Sequence, residues 1–89
     1  MKAIVSVFAK DTKGITAYVT ALLAEKEINI LDISQTLMQE FFAMIMLVDL
    51  ADCKVSFDEL ARFLKEKGAE RCLDIHIQRQ DIFEAMHRI

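Results

Sequence analysis

Eighty-nine residues, 54% of them hydrophobic, with no proline and two glycines, describe a single domain with room for one core. A charged fraction of 28% and a net charge of −3 argue against disorder, and against sequence-independent nucleic-acid binding, which depends on Lys and Arg neutralising phosphates. The longest apolar run, Phe41 to Val48, is far short of the roughly 20 residues of a membrane span. Lys2 followed by strand-like residues is unlike a secretory signal, and Cys53 and Cys72 make no disulfide framework, so a reduced, cytoplasmic protein is expected.

In chain order, Ala3 to Ala9 is rich in β-branched residues and apolar on both faces, which predicts a central strand. Residues 10–14, Lys-Asp-Thr-Lys-Gly, break it, and from Ile15 the period becomes helical. Ile15, Val19, Leu22 and Leu23 form the buried stripe, with Lys26 at its end. Asp11 or Thr12 is placed to cap this helix. Ile28 to Met38 reads as a strand whose apolar parity switches near Leu31, as a β-bulge allows. Gln39-Glu40 then separates it from the strand Phe41 to Leu50, apolar on both faces, so a hairpin is expected, although no Gly or Asn supplies its turn.

Ser56-Phe57-Asp58-Glu59 is a capping box that opens a second helix with the stripe Phe57, Leu60, Phe63 and Leu64. Gly68 suits the position just past its end. Arg71 to Arg79 alternates, with Leu73, Ile75 and Ile77 on one face, as in an edge strand. Asp81 can cap a short final helix carrying Ile82, Phe83, Met86 and Ile89. The order βαββαβ, with right-handed crossovers and antiparallel pairing, predicts an α+β fold of ferredoxin-like type. Its four-stranded antiparallel sheet has the order 4-1-3-2, two helices cover one face, and a short C-terminal helix follows. The domain proper would be residues 1–80 and the tail 81–89. The apolar fraction exceeds the usual 45–50%. The two doubly apolar strands account for the excess if the tail or a second subunit packs on the face without helices.

This fold hosts unrelated functions, so the residues must decide. RNA recognition would want exposed aromatics with basic flanks, and the motif Lys/Arg-Gly-aromatic is absent. A metal carrier would want two cysteines in the first strand-to-helix loop, which has none, and neither His76 nor His87 has a ligand-spaced partner. No arginine-bearing anion cradle and no nucleophile–base set is visible, so no catalytic residue, metal or cofactor is expected.

One resemblance remains. The run Lys10-Asp11-Thr12-Lys13-Gly14-Ile15 joins the first strand to the first helix, and Asn29-Ile30-Leu31 opens the second strand. In this frame they resemble the ACT domain family, in particular short free-standing bacterial members similar to the glycine cleavage repressor group. The resemblance covers about residues 2–80. It implies a non-catalytic regulatory module that senses a small molecule of amino-acid type at the interface of a homodimer or larger homo-oligomer and modulates a partner protein. No nucleic acid or membrane is implied. By motif position the ligand-binding residues would be Asp11, Thr12, Lys13, Gly14, Ile15, Asn29, Ile30 and Leu31. Each has a structural alternative: Asp11 and Thr12 as helix caps, Gly14 as a turn residue, Asn29 as a left-handed helix end. The competing function is an interaction dimer with no small ligand.

Overall fold

A computed structural model describes residues 1–10 and 13–81. Its elements are β1 (Lys2–Lys10), α1 (Ile15–Glu25), β2 (Asn29–Met38), β3 (Phe41–Asp49), α2 (Phe57–Ala69) and β4 (Asp74–Arg79). The strands form one antiparallel sheet in the order β2-β3-β1-β4, which is the expected 4-1-3-2 read from its other edge. The final helix expected after Asp81 falls on residues 82–89, outside the described residues.

One face of the sheet is covered by the helices, and the core lies between the two layers. Ala3, Val5 and Val7 of β1, Met44, Met46 and Val48 of β3, and Ile75 of β4 meet Ile15, Val19, Leu22 and Leu23 of α1 and Leu60 and Leu64 of α2. These are the odd positions of β1 and the even positions of β3, as period-two geometry requires of strands paired Val5 to Met46. The alternative positions, Ile4, Ser6 and Phe8 on β1 and Phe41, Ala43, Ile45 and Leu47 on β3, therefore face away from the helices.

The parity switch in β2 is a bulge at Leu31. Ile30 pairs with Val48 and Asp32 with Leu47, so Leu31 is the extra residue. Ile30 and Ile33 consequently point to the same, helix-bearing side. The helix layer stops short of this edge: every residue of β2 except half-buried Ile30 is exposed, including Ile33 (38%) and Leu37 (60%).

Three sequence expectations about chain reversals are corrected. Gly68 does not end α2; the helix runs on to Ala69, and the glycine is buried inside it. The left-handed residue before β4 is Cys72, with φ 59°. Neither Asn29 nor a side-chain cap terminates α1: Glu27 (φ 58°) takes the left-handed turn at its C-terminal end, and Gly14 (φ 80°) is the N-terminal cap, with no side-chain cap hydrogen bond. The hairpin after β2 turns on Gln39, also left-handed at φ 56°, without glycine. The capping-box serine is placed as expected, Ser56 Oγ accepting from the Glu59 N–H at 3.2 Å.

Tyr18 and Lys26 tie α1 to α2 and to the turn that follows it. The Tyr18 hydroxyl donates to the Lys67 carbonyl at 2.8 Å, and the Arg71 guanidinium lies 4.5 Å from the Tyr18 ring centroid. Lys26, the last member of the α1 stripe, sets its ammonium 4.4 Å from the Phe63 ring of α2.

Candidate ligand-binding site

α1 begins where β1 ends, beside the hairpin end of the sheet. Its start and the uncovered edge of β2 enclose a concavity of about 470 Å³, lined by Gly14, Ile15, Thr16 and Ala17 on one side and by Gln35, Thr36, Leu37 and Phe42 on the other. The cause is geometric. Phe42 of β3 pairs with Leu37, and the helix layer does not extend over β2, so the step from helix to sheet edge is left open.

The walls mix apolar and polar groups. Leu37 and Phe42 supply the apolar surface. Gln35 supplies a side-chain donor and acceptor, and Thr36 contributes its backbone at the strand edge. The half-buried Thr16 hydroxyl lies 3.9 Å from Met44 Sδ, a weak partner that a better acceptor would displace. The Gly14 carbonyl accepts from the Tyr18 N–H at 3.0 Å, the first bond of the helix. The amides of Ile15, Thr16 and Ala17 therefore have no partner within α1, and they point towards the end where a carboxylate is favoured.

The eight residues expected from the sequence divide into groups. Asp11 and Thr12 lie outside the described residues. Lys13 is exposed at the start of the loop's described part, and Gly14 lines the concavity. Ile15 is 5% exposed and belongs to the core, so its side chain holds the helix down and only its backbone faces the opening. Asn29, Ile30 and Leu31 are not at this place. They start β2 opposite Asp49 and Val48, at the far end of the edge strand. At about 3.3 Å per residue, Ile30 and Leu37 are separated by roughly 20 Å. The two described groups of expected residues thus lie at opposite ends of one edge strand. Thr16, Gln35, Thr36, Leu37 and Phe42 were not singled out from the sequence. The signal available there was Gln35 and Leu37 sharing the parity of Ile33 on a strand at the sheet edge.

A second concavity, of about 500 Å³, lies on the other side of the hairpin end. Phe8, Phe41, Phe42 and Met38 give it an apolar wall, with Lys10 and Asp74 at its rim. Lys10 is within 3.7 Å of Glu40, and Asp74 within 2.8 Å of His76 Nε2. Among the described residues no cluster of His, Cys, Asp or Glu is placed to hold a metal ion. No helix there is long and apolar enough to cross a membrane.

Sheet order, helix placement and uncovered edge define a ferredoxin-like domain of ACT type. The ACT domain family model matches residues 2–78, and the chain belongs to that family. It is 54% identical over 89 residues, the whole of both chains, to a UPF0237 protein of Clostridium acetobutylicum. Among solved structures it is similar to an ACT domain protein from Streptococcus pneumoniae, with 42% identity, 98% of each chain covered and a TM-score of 0.84. A protein described as a putative glycine cleavage system transcriptional repressor shares the fold, with a TM-score of 0.74 at 18% identity over 89% of this chain and 45% of that one.

Proposed function

We propose that this protein is a non-catalytic regulatory module that binds an amino acid between two copies of itself and passes the signal to another protein. The observation that carries this reading is the separation of the two groups of expected residues along β2. An exposed ten-residue edge strand bearing Leu31, Ile33 and Leu37 is a template for pairing with another chain. Two copies related by a two-fold axis near Ile33 would pair their β2 edges antiparallel. That pairing sets Asn29 and Leu31 of the partner subunit beside Gly14, Thr16 and Leu37 of this one, and makes two equivalent sites.

The chemistry suits a zwitterion. The first-turn amides of α1 receive the carboxylate, and Asn29 of the partner subunit and Gln35 offer carbonyl oxygens to the ammonium. Leu37 and Phe42 hold the side chain. Asp11 and Thr12, between Lys10 and Lys13 in sequence, complete the proposed set together with Lys13 and the Ile15 backbone. A ligand held by two subunits stabilises the arrangement that binds it better, which is how it would alter a partner's activity.

Thermal melts against the twenty amino acids test this. A ligand at tenfold excess over its Kd is expected to raise Tm by about 6–11 °C for a domain of this size. A second reading, an interaction dimer with no small ligand, is favoured by the structural roles of Ile15 and Ile30, which both pack on the core. It predicts dimers whose Tm no amino acid shifts at millimolar concentration, and that result would remove the sensing role.

A further inference from the structure

Between the start of α1 and the turn that follows α2 lies a small cavity of about 60 Å³, lined by Lys13, Ile15, Tyr18, Arg71 and Leu73. Ile15 and Leu73 are buried and give it apolar walls, while Lys13 and Arg71 are exposed and bring two positive charges to it. Neither cation has an acidic partner among the described residues. Carboxylates are not scarce: Asp and Glu outnumber Lys and Arg by 14 to 11, and Lys10, Lys67 and Arg79 each reach one. Two like charges brought to one cavity repel each other, and an anion between them removes the cost.

We propose that this cavity binds a phosphate group, with Arg71 as its fork and Lys13 as the second charge. Arg71 is set in place before any ligand arrives. Its backbone N–H donates to the Gly68 carbonyl at 3.0 Å, and the Cys72 and Leu73 amides are bonded back to Ala69 and Gly68 at 3.2 Å and 2.8 Å. The guanidinium lies over the Tyr18 ring, 4.5 Å from its centroid, and the Tyr18 hydroxyl is fixed on the Lys67 carbonyl at 2.8 Å. A guanidinium laid on a ring keeps its edge donors available, and that edge takes two oxygens of one phosphate side by side. Size selects the group. At about 60 Å³ the cavity is far below the roughly 300 Å³ at which pockets for whole small molecules begin. A tetrahedral oxyanion fits, and the remainder of any phosphate ester stays in solvent. Charge selects it too, since a phosphate near −2 at neutral pH satisfies two cations where a carboxylate satisfies one. The site is separate from the concavity beside Leu37: of the described residues lining that one, Ile15 alone also lines this one.

Titration of the whole, isotope-labelled protein with inorganic phosphate, followed by nuclear magnetic resonance, tests this. Ionic strength is held constant with sodium chloride so that screening alone moves nothing. Saturable shifts are expected at the Arg71 side-chain Nε–H and the Leu73 amide. Arg71→Gln and Lys13→Gln should each weaken binding by about tenfold or more, as loss of a charged hydrogen-bond donor does. Lys54→Gln, a cation lining a different concavity, should leave it unchanged. Glycerol phosphate forms a second arm. Binding at least as tight as that of inorganic phosphate assigns the cavity to phosphate esters, and weaker binding assigns it to the free ion. Shifts that stay proportional to phosphate concentration, or that persist undiminished in Arg71→Gln, would overturn the proposal.

Discussion

Gly68 of α2 passes so close to Ile75 of β4 that a Cβ on the glycine would meet Ile75 Cγ1 at 2.9 Å and the Leu73 carbonyl oxygen at 2.9 Å. The contact sets how tightly the second helix lies on the edge strand. It also explains a glycine in the interior of a helix, where it costs about 1 kcal/mol relative to alanine. The Ile75 side chain can turn away, but the Leu73 carbonyl belongs to the backbone and cannot move without shifting β4. Gly68→Ala should therefore destabilise the fold by about 1–2 kcal/mol despite its better helix propensity. Thermal or urea unfolding checks this. An unchanged or raised Tm would show that β4 is free to retreat.

The two helix starts make opposite predictions. At α2, Ser56 Oγ accepts the Glu59 amide, so Ser56→Ala should cost about 1 kcal/mol. At α1 the cap is Gly14, left-handed at φ 80°, with nothing within 4 Å of where a Cβ would stand. Gly14→Ala should also cost about 1–2 kcal/mol, from backbone strain rather than a clash. Gly14→Asn should recover part of the loss, because asparagine tolerates the left-handed region. Equal unfolding midpoints for the alanine and asparagine variants would contradict that account.

These particular residues also mark what the sequence discloses. The βαββαβ order, the two central strands and the bulge at Leu31 were legible because period-two and period-3.6 patterns are local, and a parity switch allows few explanations. The role of Gly68 was not legible, since a close approach by β4 leaves no trace in α2. Nor were the left-handed turns at Glu27, Gln39 and Cys72, where no glycine or asparagine marks the reversal. The separation of Gly14 from Asn29 could have been reasoned out: a strand that follows a helix starts at that helix's far end. The concavity beside Leu37 could not, because it depends on how far the helix layer overhangs β2.

The exposed edge predicts its own disruption. Ile33→Lys places a charge at the centre of β2, on a residue 38% exposed in the isolated chain. The substitution should leave folding within about 0.5 kcal/mol of wild type, as expected for a surface change. If β2 pairs with a second copy, the molar mass by light scattering should fall from twice 10.2 kDa to 10.2 kDa. Dimers that persist in the Ile33→Lys variant would locate the interface elsewhere.

If the residues at the two ends of β2 are halves of one site shared between chains, they make a prediction that no single-chain site shares. Ala17 is exposed on the first turn of α1 and lines the concavity, so Ala17→Arg should fill it while keeping a good helix former at that position. Asn29→Ala removes the opposite half without touching the core. Each variant alone should lose amino-acid binding yet stay folded and dimeric. Mixed in equal amounts and allowed to exchange, half of the dimers combine one chain of each kind. Each such dimer carries one site with both halves intact and one with neither, so about a quarter of the wild-type binding capacity should return. Isothermal titration of the mixture measures that fraction. Recovery requires that Gly14 and Asn29 of different chains meet at one ligand. A mixture as inactive as its parents would place the site within a single chain, and binding retained by either parent would remove that half from it.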